Sequence, residues 1–213
     1  MGFIIAADEV GRGCLAGPLV VGAVLVPEDM DRITGVNDSK KLSPAARQKV
    51  STTLLSTDDV TATTYWVHAS DIDSGGMTRA LTTAFLGAVN TLLSQMKDRG
   101  QVVEVRIDGS TMPSIGFGRI PVKFIVKGDA LDWRIGAASI IAKVTRDTWM
   151  EEQHPDHPEY RWDSNKGYGS KDHTDAIRKH GLTSLHRATF CRRFVPVAPP
   201  ADDDDLDFLL NGL

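Results

Sequence analysis

Apolar residues recur along this chain with two spacings, and each spacing predicts a different kind of element. Short apolar runs bounded by glycine, proline or acidic residues predict buried strands. Five such runs occur, at residues 3–8, 19–26, 60–68, 102–107 and 122–126. Apolar side chains three and four positions apart predict helices, at residues 76–97, 132–152 and near 171–180. A further helix is predicted to begin at Ser43-Pro44, because serine is a good N-cap and proline suits the first helical position.

The order of these elements predicts the fold class. Two strands come first and the later strands alternate with helices, which indicates a mixed α/β sheet with helices on its faces. The glycine-rich stretch 11–18 between the first two strands predicts a hairpin-like reversal with unusual backbone angles. We expect residues 1–195 to form one domain, with a helical subregion at about 155–195. Residues 196–213 are expected to be an acidic, disordered tail.

Composition limits the class of protein. The chain has 213 residues, 41% of them hydrophobic, which is enough for one core without disulfides. Cys14 and Cys191 are far apart and in no metal-binding spacing, so a reduced cytoplasmic protein is the simpler expectation, with a single disulfide as the alternative. No basic segment precedes Asp8, and no apolar run reaches about 18 residues, so neither a signal peptide nor a membrane span is expected.

The net charge of −4 is distributed unevenly along the chain. The tail carries five aspartates and no basic residue, and the remainder holds 24 basic and 23 acidic residues, a net of +1. Residues 119–193 alone hold 14 basic residues, 10 acidic residues and five of the six histidines. This segment is therefore a candidate surface for a polyanion, although an ordinary solvated face has the same composition.

Acidic residues stand at the ends of three predicted strands. Asp8 and Glu9 end the first strand, Asp108 ends the fourth, and Asp129 follows the fifth. If these strands are neighbours, four carboxylates converge, and ligands that are all oxygen favour Mg²⁺ or Mn²⁺ over zinc. Two such ions about 4 Å apart activate a water and stabilise the leaving 3′-oxygen in phosphodiester hydrolysis. Each aspartate alone is also typical of a turn, and Asp8 and Glu9 face opposite sides unless the strand twists or bulges.

Seven ordered blocks carry a resemblance to a known family. They read DEVGRG at 8–13 with LAGPLVV at 15–21, NDSKKL at 37–42, IDG at 107–109, KGD at 127–129, AASIIAKVTRD at 137–147, KGYGS at 166–170 and KHGLTSLHR at 179–187. In this order they resemble the ribonuclease HII family across about residues 3–194. Three places depart from the family pattern: Cys14 stands where proline is frequent, Ser110 where asparagine is common, and LDWR at 131–134 where small polar residues are more frequent.

The resemblance implies a ribonuclease-H-like fold with a C-terminal helical extension. It implies an endonuclease that cuts the RNA strand of RNA–DNA hybrids and nicks on the 5′ side of single ribonucleotides in duplex DNA, leaving 5′-phosphate and 3′-hydroxyl ends. It also implies that two Mg²⁺ or Mn²⁺ ions are held by four catalytic carboxylates: Asp8, Glu9, Asp108 and Asp129. Asp147 is a rival for the fourth position, but the family pattern favours Asp129.

The same resemblance implies substrate contacts. Gly11, Arg12 and Gly13 read the ribose 2′-hydroxyl, which distinguishes RNA from DNA, and Tyr168 stacks on the sugar of the following deoxyribonucleotide. A tyrosine between two glycines is also better placed for a ligand than for a core. Basic residues in these blocks are either phosphate contacts or members of surface salt bridges: Lys40, Lys41, Lys143, Arg146, Lys166 and Arg187.

Several other classes of protein compete with this interpretation. A ribonuclease HIII would carry an N-terminal extension and lack the arginine of the glycine motif, whereas here the motif starts at residue 8 and contains Arg12. Another nuclease or a transposase on the same fold is disfavoured by Arg12 and Tyr168. An inactive module that only binds hybrids would be expected to lack one of the four carboxylates, whereas all four are present here. We expect a monomer that binds RNA–DNA hybrids and ribonucleotide-containing duplex DNA and does not bind a membrane. Residues 206–210 are a candidate contact for a weak protein partner such as a clamp.

Overall fold

The computed structural model describes residues 2–36, 42–96, 100–112 and 114–195. A five-stranded sheet forms the centre of the fold, in the order β3-β2-β1-β4-β5. The strands are β1 (Gly2–Val10), β2 (Leu19–Pro27), β3 (Thr61–Val67), β4 (Gln101–Asp108) and β5 (Val122–Ile125). The helices are α1 (Pro44–Leu55), α2 (Ala69–Gln95), α3 (Gly128–Leu131), α4 (Trp133–Gln153), α5 (Trp162–Asn165), α6 (Lys171–His180) and α7 (Ala188–Cys191), with short 3₁₀ turns at His154–Asp156 and Pro158–Tyr160.

The sheet is mixed, as predicted. Strand β2 is antiparallel to β1 and β3, whereas β1, β4 and β5 run parallel. The first, fourth and fifth strands are neighbours, and the pairing of β1 with β4 ends at Ala7 and Ile107. The glycine-rich reversal between β1 and β2 is confirmed, with φ of 86° at Gly11 and 83° at Gly17. The carboxyl ends of the three parallel strands meet at one edge of the sheet.

Helices cover both faces of the sheet with apolar side chains. On one face, Ile5 and Ala7 of β1 pack in a cluster with Phe85 of α2. On the other face, Ala6 packs with the buried side of α4. A Cβ atom at Gly22 of β2 would lie 2.4 Å from the carbonyl oxygen of Ala138 in α4, so only glycine lets this helix approach so closely. Gly22 pairs with Asp8, which brings α4 over the end of β1.

Two elements differ from the prediction. Helix α2 begins at Ala69, seven residues before the expected start, and is interrupted at Gly76, where φ is 77°. Its first segment is mostly polar and shows no apolar stripe, but it is held by burial of Ile72 and by Asp73, which accepts hydrogen bonds from the first N–H groups of α7. The short helix α3 was not predicted, because four residues are too few to show helical periodicity.

The C-terminal helical subregion has its own small core. Trp162, Ile177 and Cys191 pack with Leu15 of the glycine-rich loop and Met150 of α4. Cys14 and Cys191 are both buried free thiols. Across the described ranges, no helix combines the length and the apolar character that crossing a bilayer requires.

Candidate metal centre and nucleic-acid cleft

Three carboxylates meet at the edge of the sheet where the parallel strands end. Asp8, Glu9 and Asp108 each place one carboxylate oxygen within 4.8 Å of those of the other two. Asp8 and Asp108 are brought together by the parallel pairing of β1 with β4. Asp129, in α3 just after β5, is 8% exposed, and its charge acts on Asp8. The predicted convergence of the acidic strand ends is therefore present, with three carboxylates in closest proximity and the fourth beside them.

Asp8 and Glu9 share this site although they are successive residues of a strand. The pairing of β1 with β2 stays in register from Phe3 to Val10, so the expected bulge is absent here. Pairing with β4 stops at Ala7, and the last residues of β1 extend beyond it. Beyond Ala7, β1 has no partner on the β4 side, so the side chains of Asp8 and Glu9 can both turn toward Asp108. The main-chain N–H of Glu9 also donates to Asp8 Oδ1 at 2.8 Å.

The electrostatics of the acidic site favour a bound cation. Burial raises the pKa of Asp8 well above its usual range, and the negative charges of Glu9, Asp108 and Asp129 raise it further. The hydroxyl of Ser139 on α4 opposes this by hydrogen bonding to the Asp8 carboxylate. A divalent ion would remove the repulsion, and a donor set made only of carboxylate oxygens suits Mg²⁺ or Mn²⁺. The residues present therefore fit a hard divalent metal.

We expect Mg²⁺ or Mn²⁺ to raise the melting temperature relative to EDTA, because an ion that binds only the folded state at about 100 times its Kd stabilises it by about 2.7 kcal/mol. Asp8→Asn should raise the melting temperature in EDTA, because it removes a buried charge that the neighbouring carboxylates repel. It should also reduce the rise in melting temperature that the metal causes. Asp59→Asn, in an exposed turn, is the matched control and should change neither quantity. Thermal unfolding followed by circular dichroism measures both, and an undiminished metal shift in Asp8→Asn would contradict the assignment.

An open cleft of about 360 Å³ adjoins the carboxylates. Its lining combines the acidic site with the glycine motif and two residues of the later blocks: Asp8, Glu9, Val10, Gly11, Arg12, Gly13, Asp108, Ser139, Lys143 and Tyr168. Arg12 and Gly13 are exposed, and a Cβ atom at Gly13 would have no neighbour within 4 Å. The backbone at Arg12 and Gly13 is thus accessible to a ligand in the cleft, whereas Gly11 is buried beneath it.

Tyr168 presents its ring to this cleft. It is 40% exposed, and the Lys143 Nζ atom lies 5.3 Å from the ring centroid. The phenol hydroxyl is hydrogen-bonded to the buried thiol of Cys14. Burial, with the neighbouring Cys14, raises the pKa of Tyr168 to about 12, so the phenol is neutral at physiological pH. The exposed part of Tyr168 is therefore available to a ligand in the cleft.

Two residues predicted as phosphate contacts have another role in the structure. Arg146 and Arg187 are both completely buried, so neither can touch a phosphate on the surface. Each guanidinium donates three hydrogen bonds of 2.8–3.0 Å to main-chain carbonyl oxygens. The acceptors lie in the glycine-rich loop and beside Tyr168: Arg12, Ala16, Gly17, Pro18 and Lys166. The phosphate assignment of these two arginines is therefore wrong, and they anchor the loop instead.

The remaining basic candidates differ in position. Lys143 lines the cleft while pairing with Asp147 at 2.8 Å. Lys166 pairs with Glu151 at 2.6 Å and lines an adjoining groove rather than the cleft. Lys40 and Lys41 lie outside the described residues. Asp147 also lines the adjoining groove, so the geometry favours Asp129 over Asp147 as the fourth carboxylate.

Sequence reasoning missed two residues of the site. Ser139 hydrogen-bonds Asp8, and its signal was a single hydroxyl within an otherwise apolar face of α4. Cys14 contacts the Tyr168 hydroxyl, and its signal was a departure from the family pattern at a position next to the glycine motif. Neither signal identifies its partner, because the partners are distant in the chain.

Comparisons with known proteins agree on one family. The chain matches the family model described as ribonuclease HII over residues 5–193. A ribonuclease HII of Wolbachia pipientis subsp. Culex pipiens (strain wPip) is 41% identical over 189 residues, which are 89% of this chain and 90% of that protein. The ribonuclease H2 from Pyrococcus horikoshii OT3 has a TM-score of 0.71 at 25% identity, covering 90% of this chain and 96% of that chain.

A more distant solved structure shares the fold. Bst-RNase HIII in complex with Mn²⁺ has a TM-score of 0.64 at 19% identity, covering 90% of this chain and 68% of that chain. At this identity the likeness concerns the fold alone. It supports the mixed sheet with flanking helices that the sequence predicted.

Proposed function

This chain belongs to the ribonuclease HII family, and from that premise we propose how its residues select and cut a substrate. As a member of this family, it is an endoribonuclease that acts on RNA–DNA hybrids. We propose that it also nicks duplex DNA on the 5′ side of a single embedded ribonucleotide, leaving 5′-phosphate and 3′-hydroxyl ends. One observation carries this proposal: the exposed ring of Tyr168 shares a cleft with the carboxylates and the glycine motif.

The carboxylates would hold the metal. We propose that Asp8, Glu9, Asp108 and Asp129 bind two divalent ions, Mg²⁺ or Mn²⁺. When bound, the ions supply Lewis-acid stabilisation of the negative charge on the phosphodiester and lower the pKa of a water. Ser139 holds the Asp8 carboxylate, and the main-chain N–H of Gly128 donates to Asp108 Oδ1 at 2.6 Å. These contacts orient the carboxylates before any ligand binds, which reduces reorganisation during the reaction.

The glycine motif is suited to read the ribose. A 2′-hydroxyl donates one hydrogen bond and accepts others, so backbone N–H and C=O groups of Gly11, Arg12 and Gly13 can recognise it. Gly11 needs a φ of 86°, and a Cβ atom there would lie 2.4 Å from Arg146 Nε. The loop is therefore shaped by Arg146 behind it, and its outer surface stays open toward the cleft.

Tyr168 is suited to detect the nucleotide that follows. A deoxyribose lacks the 2′-hydroxyl, so an apolar edge of the sugar can pack against the ring, whereas a ribose would bring a polar group to the same place. The neutral phenol, held by Cys14, adds no charge that would repel a phosphodiester. Recognition of a ribose by the glycine motif and of a deoxyribose by Tyr168 would together select the RNA–DNA junction.

Cleavage of a labelled DNA duplex with one ribonucleotide, in Mg²⁺, Mn²⁺ or EDTA, tests the proposal. We expect a metal-dependent nick on the 5′ side of the ribonucleotide, with a 3′-hydroxyl that a polymerase can extend. Cleavage of a continuous hybrid without cleavage of this duplex would instead indicate an enzyme that acts on hybrids only. The cytoplasmic location and the monomeric state stay predictions, and the tail contact at residues 206–210 lies outside the described residues.

Tyr168→Ala should lower kcat/KM on the single-ribonucleotide duplex about tenfold more than on an all-RNA hybrid, because the packing of the deoxyribose on the ring is lost, and a tenfold change corresponds to about 1.36 kcal/mol. In a continuous hybrid the sugar after the cut is a ribose, which packs less well on the ring, so the substitution should lower kcat/KM on the hybrid by a smaller factor. Tyr168→Phe is the matched control: it keeps the ring, loses the hydroxyl bonded to Cys14, and should retain most of the preference. Steady-state kinetics on both substrates measure the ratio, and equal losses with Tyr168→Ala would count against junction sensing.

A further inference from the structure

A buried pair of histidines lies directly behind Tyr168. His173 of α6 is 0% exposed and His186 is 4% exposed. His173 Nδ1 lies 2.9 Å from the main-chain oxygen of Tyr168. His173 Nε2 lies 3.2 Å from Trp162 Nε1 and 3.2 Å from His186 Nε2. The cleft residue Tyr168 is thus connected to the C-terminal core by a continuous chain of hydrogen bonds.

The donors in this chain determine which nitrogen of each histidine carries the proton. An indole N–H can only donate, so Nε2 of His173 accepts from Trp162, and the proton of His173 lies on Nδ1. The main-chain N–H of Thr183 donates to His186 Nδ1 at 3.0 Å, so the proton of His186 lies on Nε2. His186 and Trp162 therefore share the single lone pair of His173 Nε2 as donors, and His173 donates from Nδ1 to the carbonyl of Tyr168. The two rings have opposite tautomers.

Both rings are neutral under working conditions. Burial lowers the pKa of His173. Burial, with the neighbouring His173 and His157, lowers the pKa of His186 to about 3. A second proton on either ring would face an existing donor, Trp162 or the N–H of Thr183. The ring of Tyr160 also packs 4.6 Å from that of His186, so an apolar group occupies the space through which water would solvate a charge.

The backbone at Tyr168 is held on both sides of the residue. On the N-terminal side, the carbonyl oxygen of Gly167 accepts from the N–H groups of Leu15 and Ala16, and the N–H of Tyr168 donates to the carbonyl oxygen of Asn165 at 2.9 Å. The carbonyl oxygen of Tyr168 accepts from two donors, the N–H of Ser170 at 2.8 Å and Nδ1–H of His173 at 2.9 Å. Only the second of these comes from a side chain that the core holds rigidly.

We propose that His173 is a positioning residue for Tyr168, and that its Nδ1–H fixes the Tyr168 peptide so that the ring faces the scissile position. Trp162 and His186 act through His173 by holding its tautomer. The inference rests on the proposed role of Tyr168 in sensing the junction. It adds that this selectivity is determined from the C-terminal subregion, by residues that do not touch the substrate.

Two amide substitutions at one position separate positioning from simple packing. In His173→Asn, the side-chain amide lies where Nδ1 was and can still donate to Tyr168, but the contact with Trp162 and His186 is lost. In His173→Gln, the amide lies where Nε2 was and can keep that contact, but the bond to Tyr168 is lost. Both variants lose similar packing, so a purely structural role predicts similar effects for the two.

The experiment compares kcat and KM for wild type, His173→Asn, His173→Gln and Tyr168→Ala on the single-ribonucleotide duplex and the all-RNA hybrid, with melting temperatures alongside. We expect His173→Gln to lower the ratio of kcat/KM for the duplex over the hybrid about tenfold, while His173→Asn retains the wild-type ratio. An unchanged ratio in His173→Gln, or equal changes in both variants, would overturn the inference. An unchanged ratio in Tyr168→Ala would overturn the proposed role of Tyr168 in junction sensing, and the inference with it. A changed ratio in Tyr168→Ala with an unchanged ratio in His173→Gln would overturn the inference alone.

A measurement on the unaltered protein covers the case in which a variant fails to fold. Nitrogen-15 spectra of the histidine rings at neutral pH should show His173 protonated on Nδ1 and His186 on Nε2. Detection of a proton on Nε2 of His173 would remove the donor to Tyr168 and overturn the inference without any substitution.

Discussion

Asp108→Asn is expected to reduce cleavage to below about 1% of the wild-type rate while hybrid binding is retained. The substitution keeps the size of the side chain, and the amide oxygen can still accept from the N–H of Gly128, now 2.6 Å from Asp108 Oδ1. Only the charge is lost, at the carboxylate that lies within 4.8 Å of both Asp8 and Glu9. Loss of a metal ligand costs several kcal/mol in the transition state, and about 1.36 kcal/mol corresponds to a tenfold change in rate.

Single-turnover cleavage at saturating metal, with fluorescence anisotropy for binding, measures this effect. Binding should be equal to or tighter than that of wild type, because one negative charge near the phosphodiester is removed. Asp147→Asn is the matched control, since Asp147 pairs with Lys143 and lines the adjoining groove. It should retain most of the activity. A residual rate above about 1% in Asp108→Asn, or an equally severe loss in Asp147→Asn, would contradict the proposed ligand set.

Arg146→Met is expected to lower the free energy of unfolding by about 3 kcal/mol or more. Arg146 is completely buried and donates to the carbonyl oxygens of Ala16, Pro18 and Lys166. Methionine fills the space of the side-chain stem but offers no donor, and each buried polar group left without a partner costs about 1–3 kcal/mol. The loop that carries the glycine motif would also lose its anchor, so cleavage should fall even at temperatures where the variant is folded.

Arg134→Met provides the control on the same helix. Arg134 also donates to main-chain carbonyl oxygens, those of Glu28 and Met30, but it does not line the cleft. We expect a smaller loss of stability and unchanged kcat/KM. Urea denaturation measures the first quantity and cleavage assays the second. A loss of less than about 1 kcal/mol in Arg146→Met would show that the loop does not depend on this guanidinium.

The two arginines illustrate why part of the candidate site could not be predicted. Arg146 and Arg187 belong to blocks shared with a nuclease family, and arginine is a common phosphate ligand, so their assignment to the substrate followed from residue type. Burial of an arginine depends on whether acceptors from elsewhere in the chain surround it. Here all acceptors but Lys166 lie more than a hundred residues away in sequence, in the glycine-rich loop. A local sequence pattern cannot show that acceptors so far along the chain will surround the arginine.

Local patterns in the sequence were sufficient to predict the strands, most helices and the position of the carboxylates. Short apolar runs and apolar residues with a period of 3.6 are local properties, and an acidic residue directly after a buried strand must lie at the edge of the sheet. The folded structure was needed to show that β1, β4 and β5 are neighbours, that Ser139 hydrogen-bonds Asp8, and that His173 contacts the main chain of Tyr168. These are contacts between residues far apart in the chain, and their geometry is set by how helices pack on the sheet. Packing depends on the shapes of all the partners together, so no single segment encodes it.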